Sequence, residues 1–362
     1  MNSFEGITTW YERYEKRIGL LGVLGGFVVD SLTLRGSDQV LENIVLGCYL
    51  LVFASGIIIT NRIEEKLPVE AKRGRIHFWI NFFMSFVIGG LFSAFFVFYF
   101  RSSSFEVSFP FLLTLLIVMV GNELFKKQTN HMVFQTTIFF FALFSWSIFF
   151  VPTVLKHISV WTFVGSTLLT LILFRGFLWS LKRFVKERYQ THRKKILLSS
   201  LCLFVVIEGL YIARLIPPLP LVAKDVGVYQ SISRLSDGSY KVTSQKETLR
   251  DMLSINPHIR VVSSGPLYVF SAVYSPADLD TVVSHVWARY DEKKKDWVQI
   301  SKVNVPLVGG RTKGYRLYTM YPYVTEGLWR VDIQTKNGQI MKRVKFNVEN
   351  VDVLPGLIEI EK

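Results

Sequence analysis

Asp30, Glu42, Glu123, Arg175, Glu208 and Arg214 stand inside or at the ends of long apolar runs. An ionised side chain at the centre of a bilayer costs roughly 2.5–3.5 kcal/mol, so residues of this type in such a place need a partner or a task. Two chemistries suit the set. Acids facing arginines form structural ion pairs, or the same groups line a polar cavity that handles protons or a charged substrate. Depth along the runs sorts them: Asp30, Glu42 and Glu208 fall toward one boundary together with Arg35, Arg101 and Arg214. Glu123 and Arg175 fall in the opposite half and are expected to pair with each other.

A second constellation lies near the carboxyl end. His285, Trp287 and Arg289 alternate along one predicted strand, and with Arg316 and Arg330 they would form an aromatic and basic surface for a glycan or an acidic ligand. The competing reading puts the tryptophan in a sandwich core and the arginines on its rim. Tyr315, Tyr318, Tyr321 and Tyr323 read as strand and turn packing more readily than as a sugar platform. Zincin, CxxC, GxSxG, SxxK and Walker-type patterns are absent; GGRTKG (309–314) lacks the Gly-Lys-Ser/Thr order. His258 and His285 are the only histidines after residue 216, so a multi-histidine metal site is not expected there, and no cofactor is implied. The reading leans away from an enzyme.

The elements that must position these residues follow from composition. Of 362 residues, 50% are hydrophobic and 19% charged, against about a quarter charged in soluble domains. The apolar excess fills residues 1–216 and then stops. Seven spans of membrane-crossing length are expected: about 18–34, 40–60, 76–100, 109–125, 132–151, 159–181 and 196–216. The first has no small-residue cleavage site behind it and reads as an anchor, not a removed signal peptide. The fourth is the shortest. Small residues four apart (Gly22 and Gly26; Ser85, Gly89 and Ser93) suit close helix packing within the bundle. Cys48 and Cys202 fall within spans and read as packing residues.

Lysine and arginine decide the orientation. Segments 1–17, 61–75, 126–127 and 182–195 hold 17 of them, whereas the intervening loops hold only Arg35, Arg101 and Lys156. That split places the amino terminus in the cytoplasm and everything after residue 217 on the far side. The net charge of +14 is therefore largely a topology signal, and nucleic acid is not expected as a partner. The bilayer is.

After the PPLP of 217–220 the period changes to short alternating segments. Residues 217–225 read as a linker, 226–350 as a β-sandwich and 351–362 as a tail. Asn337-Gly338 between two alternating runs predicts a two-residue type I′ hairpin. That register sets Trp329 opposite Phe346, Val331 opposite Val344 and Asp332 opposite Arg343. Many short strands and frequent turns point to an immunoglobulin-like sandwich.

GFVVDSLTL (26–34), GGLFSAFFVFY (89–99), GNEL (121–124), HVW (285–287), YRLYT (315–319), GLWRVDI (327–333) and FNV (346–348) together resemble bacterial multi-pass membrane proteins that end in the domain-of-unknown-function family 2914. Where that pattern usually has serine, Thr319 stands here. The resemblance implies a bacterial inner-membrane protein with a periplasmic carboxyl domain, and it implies no activity and no catalytic residue. The expected fold is thus a membrane all-α bundle followed by an all-β, immunoglobulin-like domain. The expected role is binding or scaffolding of an envelope protein or glycan, without a stated oligomeric state; the alternative is a transporter or intramembrane enzyme using the acids of the bundle.

Overall fold

The computed structural model describes residues 39–66, 75–102, 104–124, 132–218, 221–246, 254, 256–274, 281–307, 314–354 and 356–362. The first expected span, with Asp30 and Arg35, lies outside these residues, as does most of the segment between β3 and β4. The chain divides into two compact units.

The first unit is helical. Its described elements are α1 (Gln39–Lys66), α2 (Arg75–Arg101), α3 (Phe105–Leu124), α4 (Met132–Leu155), α5 (Val160–Phe184) and α6 (Lys186–Ile212). Four of them, α1, α4, α5 and α6, are long and apolar enough to cross a membrane. In α2 and α3 the apolar stretches among the described residues are Phe86–Arg101 and Glu106–Ile117. The sixth helix reaches back from the expected 196–216 span to Lys186, so most of the basic stretch is helical, with Lys182 and Arg183 in the last turn of α5. Lys, Arg and Glu are good helix formers, and Val185, fully buried, marks the break from α5.

In this unit α4 is the central helix, buried on nearly every side: Phe139 through Ser145 are all buried. Its rings stack outward in several directions, Phe139 on Phe53 of α1 (5.7 Å) and on Phe177 of α5 (4.4 Å), and Phe141 on Phe92 of α2 (5.7 Å). The peripheral helices are two-faced. On α5 the buried residues Phe163, Ser166, Thr170, Phe174, Phe177 and Leu181 recur at three- and four-residue intervals, as one helix face requires. On α6 the buried stripe is Tyr189, Ile196, Ser200 and Ile207. The small residues of α2 pack within the chain: Ser93 is buried, and a Cβ on Gly90 would meet the Tyr49 ring of α1 at 3.8 Å. Both cysteines are exposed, which corrects their reading as packing residues.

The second unit is built from Arg101–Val107, Lys156–Ser159 and Pro217–Lys362. Its strands are β1 (Val222–Tyr229), β2 (Ser231–Arg234), β3 (Tyr240–Gln245), β4 (His258–Val261), β5 (Leu267–Tyr274), β6 (Thr281–Asp291), β7 (Asp296–Leu307), β8 (Tyr315–Tyr321), β9 (Gly327–Thr335), β10 (Ile340–Asn350) and β11 (Leu357–Glu361). They form a sheet of order β4-β10-β9-β6-β7, a sheet β1-β5-β8, and a small third sheet β11-β3-β2. Neighbours are antiparallel except β4 and β10, which run parallel. The expected tail therefore contains a strand, since β11 completes the third sheet against β3.

The first two sheets pack face to face. Val269 and Leu267 of β5 meet Trp287, Trp329, Val331 and Phe346 of the opposite sheet in one buried cluster. A second cluster joins Val273, Tyr315 and Leu317 to Val283, Leu307 and Ile333, and includes Leu221 and Ile158. The third sheet covers the other face of β5, where Phe270 and Ala272 pack on Tyr240 and Val242. Alternation along β5 thus feeds two cores, so nearly every residue of this strand is buried.

The β9–β10 hairpin keeps the expected pairs: Trp329 opposite Phe346, Val331 opposite Val344 and Asp332 opposite Arg343. Its turn differs. The Gly338 amide donates to the Thr335 carbonyl (2.9 Å) and only Gly338, not Asn337, has positive φ (81°). This is a three-residue turn with glycine in the left-handed position, and a bulge between Ile340 and Lys342 restores the register. The left-handed conformation costs a residue with a Cβ roughly 1–2 kcal/mol. Gly338→Ala should therefore lower the unfolding free energy by about 1 kcal/mol, read as a small drop in melting temperature, while Asn337→Ala should have a lesser effect.

Candidate functional site

Neutral hydrogen bonds join several of the described helices. Asn61, fully buried near the end of α1, donates from Nδ2 to Gln135 Oε1 of α4 (2.9 Å) and to its own Ile57 carbonyl (2.9 Å). The Tyr99 hydroxyl donates to the Ser145 carbonyl (2.8 Å), Trp146 Nε1 to the Asn43 carbonyl (3.2 Å), and Thr137 Oγ1 lies 2.7 Å from Ser199 Oγ. In an apolar setting such contacts are worth on the order of 0.6 kcal/mol each. Searching the runs for ionisable residues alone misses them; uncharged amides and hydroxyls within the same runs are the signal that finds them.

Among the described residues, Glu208, Arg214 and Arg175 do not form the expected acid–arginine pairs. Half-buried Glu208 accepts a hydrogen bond from Thr167 Oγ1 of α5 (3.0 Å), not from Arg214. Arg214 is exposed just beyond the end of α6 with φ of 60°, so the helix does not carry it onto the Glu208 face. Arg175 is exposed on α5 and has no hydrogen-bond or ion-pair partner among the described residues. Glu42 is half-buried on α1, and the side chains of Asp30 and Glu123 lie outside the described residues. The ion pair that does join two helices is at their ends: Arg188 of α6 pairs with Glu64 of α1, and the Glu187 amide donates to Glu65 Oε1 (3.2 Å).

In the β-rich unit the five residues expected on one face occupy three. His285 and Trp287 are fully buried between the two large sheets. Arg289 follows on the same side of β6 but at its exposed end, where Nη2 donates to the Glu326 carbonyl (2.9 Å). Arg330 pairs with Ala288, so its side chain is on the opposite face of that sheet; its guanidinium stacks on Trp297 at 4.6 Å. Arg316, on the far side of β8 from Leu317 and Thr319, donates to the Lys362 carbonyl (3.1 Å). The strand period that grouped 285, 287 and 289 is correct; the burial of that face removes it as a ligand surface.

What His285 and Trp287 make instead is a closed polar network between sheets. His285 Nε2 lies 2.8 Å from Ser271 Oγ of β5, His285 Nδ1 lies 3.0 Å from Thr319 Oγ1 of β8, and Trp287 Nε1 donates to that same Thr319 oxygen (3.1 Å). The indole can only donate, so Thr319 accepts from it. With the ring proton on Nε2, His285 donates to Ser271 and accepts the Thr319 proton at Nδ1. A neutral imidazole satisfies every partner. Burial holds His285 down, to about 4 from an ordinary 6.5.

On the outer face of the five-stranded sheet, Arg343 grips Asp332 with two hydrogen bonds (2.6 and 2.8 Å). That bidentate contact raises the Arg343 pKa, while burial lowers that of neighbouring Arg330. Lys345 of β10 pairs with Glu106 (2.6 Å). Exposed apolar and aromatic side chains lie elsewhere, at Tyr318 (42%) and Met320 (47%) of β8 and at Tyr323 (75%) just beyond it.

Helices able to cross a membrane, followed by a β-rich carboxyl-terminal region, define the broad class of the protein. A family model described as protein of unknown function (DUF2914) matches residues 280–348, from the start of β6 into β10. No curated protein matches the chain. Among solved structures, the Pseudomonas fluorescens alkylpurine DNA glycosylase AlkC bound to DNA containing an abasic site analog is 9% identical over 83% of this chain and 96% of that chain, with a TM-score of 0.22. At that score the likeness carries no argument about fold or function.

Proposed function

We propose that the chain is a multi-pass inner-membrane protein, with seven spans and a cytoplasmic amino terminus, that presents an immunoglobulin-like domain in the periplasm for binding or scaffolding in the envelope. The observation that carries the membrane reading is the exposed face of α5. Trp161, Leu168, Ile172 and Trp179 all stand exposed on it, at 81%, 54%, 67% and 66%. The two tryptophans are eighteen residues apart, or about 27 Å at 1.5 Å per residue, close to the roughly 30 Å of a bilayer core with an aromatic residue at each interface.

Sidedness has separate support. Arg101–Val107 and Lys156–Ser159 belong to the same compact unit as the carboxyl strands, as the alternating topology requires of these two connections. The Arg188–Glu64 pair joins two of the lysine- and arginine-rich segments, again as required. The strand order supports the immunoglobulin-like reading: β4-β10-β9-β6-β7 over β1-β5-β8, with β4 and β10 parallel and a buried tryptophan on β6.

Tyr318, Met320 and Tyr323 replace the expected basic face as the docking surface, because large exposed apolar side chains on a folded domain favour contact with a partner. A periplasm-active reporter fused after Lys362 should be active and a cytosol-active one silent; the reverse result ends the reading. A photoreactive amino acid at position 323 should trap an envelope partner in cells, and one at position 293 should not.

A further inference from the structure

We propose that the exposed face of α5 holds the phosphate of an anionic phospholipid in the cytoplasmic leaflet, with Arg175 and Lys182 as its ligands. The inference rests on the membrane-spanning reading above. Along α5 the residues Trp161, Leu168, Ile172, Arg175, Trp179 and Lys182 follow one another at intervals of seven, four, three, four and three. All six are exposed. Such spacing puts them on one helix face, opposite the buried stripe from Phe163 to Leu181.

Arg175 is the anomaly on that face. Charged residues within a span ordinarily turn into the bundle and find a partner there; this one turns out and has none among the described residues. It stands four residues from Trp179 on the apolar side, about 6 Å deeper at 1.5 Å per residue. Its guanidinium clears the hydrocarbon only by running along the helix toward Trp179, as long basic side chains do near interfaces. Lys182 approaches the same level from the other end, so two cations converge on the depth of the lipid phosphates with an indole between them.

Charge selects the lipid class. Residues 160–184 contain no acid, and Lys182 is followed by exposed Arg183. Across the break at Val185, α6 repeats the arrangement: exposed Lys194 lies one turn before the exposed apolar stripe of Leu198, Leu201 and Val205. Clusters of four or more cations at this boundary favour anionic head groups. A guanidinium also grips a phosphate with two parallel hydrogen bonds, and an anionic head group brings no cation of its own to offset the attraction.

The test uses the full chain in nanodiscs of phosphatidylcholine with about a third phosphatidylglycerol, followed by native mass spectrometry of the lipids that stay bound on release. Phosphatidylglycerol should be enriched about fivefold or more over its share of the disc, the factor that one cation near a lipid surface supplies. Arg175→Gln with Lys182→Gln should return the ratio to that of the disc, and Lys293→Gln, in the β6–β7 loop, should leave it unchanged. Arg175→Lys should retain most of the enrichment, which keeps the comparison informative if the double variant folds poorly. Bulk lipid ratios on the parent protein, or full enrichment on a folded double variant, overturn the proposal. Release of the protein by alkaline carbonate is a different failure and takes the membrane reading with it.

Discussion

Trp287→Ala is expected to cost the β-rich unit about 3–5 kcal/mol, the range for removing a large aromatic side chain from a packed core. The indole is fully buried on β6, between sheets. It lies 5.9 Å from the Tyr321 ring, which in turn lies 5.5 Å from Trp329, so the two remaining rings lose packing support. The same change deprives Thr319 of its Nε1 donor. Because domains are stable by only about 5–15 kcal/mol, the variant should retain its helices while the carboxyl unit becomes protease-sensitive. A drop in melting temperature on the order of 10 °C is anticipated. Trp297→Ala is the matched control: Trp297 sits half-buried at the turn end of the β6–β7 hairpin beneath Arg330, and its loss should cost far less. Equal effects from the two tryptophans would contradict the description of the core.

Acid should destabilise the same unit through His285. Its folded pKa is about 4, against an ordinary 6.5, so below pH 6.5 the unfolded chain binds a proton that the folded chain refuses. Stability is complete above the ordinary value and falls as pH drops from 6.5 to 4, because the unfolded state then holds more protons. At 1.36 kcal/mol per unit the full loss is about 3 kcal/mol. The groups around the ring cannot relieve it: Ser271 and Thr319 are neutral hydroxyls and the paired residues Ile333 and Val303 are apolar. His285→Gln keeps an acceptor and a donor in the site and should flatten the profile between pH 6.5 and 4 while lowering stability at pH 7.5. An unfolding free energy independent of pH across that window in the parent protein would exclude the buried neutral imidazole.

What could be read from the chain in advance divides along physical lines. Helices α1, α4 and α5 were legible because long apolar runs have few alternatives, and the pairing of Trp329, Val331 and Asp332 was legible because a short hairpin leaves little choice of register. The turn itself was misread: Asn337-Gly338 suits two turn types, and the bulge near Met341 that decides between them has no local sequence mark. The start of α6 at Lys186 lies outside what hydropathy can show, because the apolar run marks the span alone while Lys, Arg and Glu extend the helix before it. The site residues were the least legible. Period two correctly grouped His285 with Trp287, but which face of a sheet is buried depends on the sheets above it, here β5 and β8 on one side. Pairing across the bundle was likewise a question of helix rotation, and Arg175 turned outward.

The second unit recruits Ile158 into its packed interior, and the Ser102 hydroxyl donates to the Leu221 carbonyl. An excised tail beginning at Pro217 would therefore be born with a hole where an isoleucine belongs and an orphaned acceptor beside it. Such a fragment should be sticky and prone to clump when expressed alone, and supplying residues 101–107 and 156–159 as covalent grafts should cure it. Anyone hunting interaction partners with the isolated tail would then be fishing with an artificial adhesive patch, and the intact protein is the safer bait.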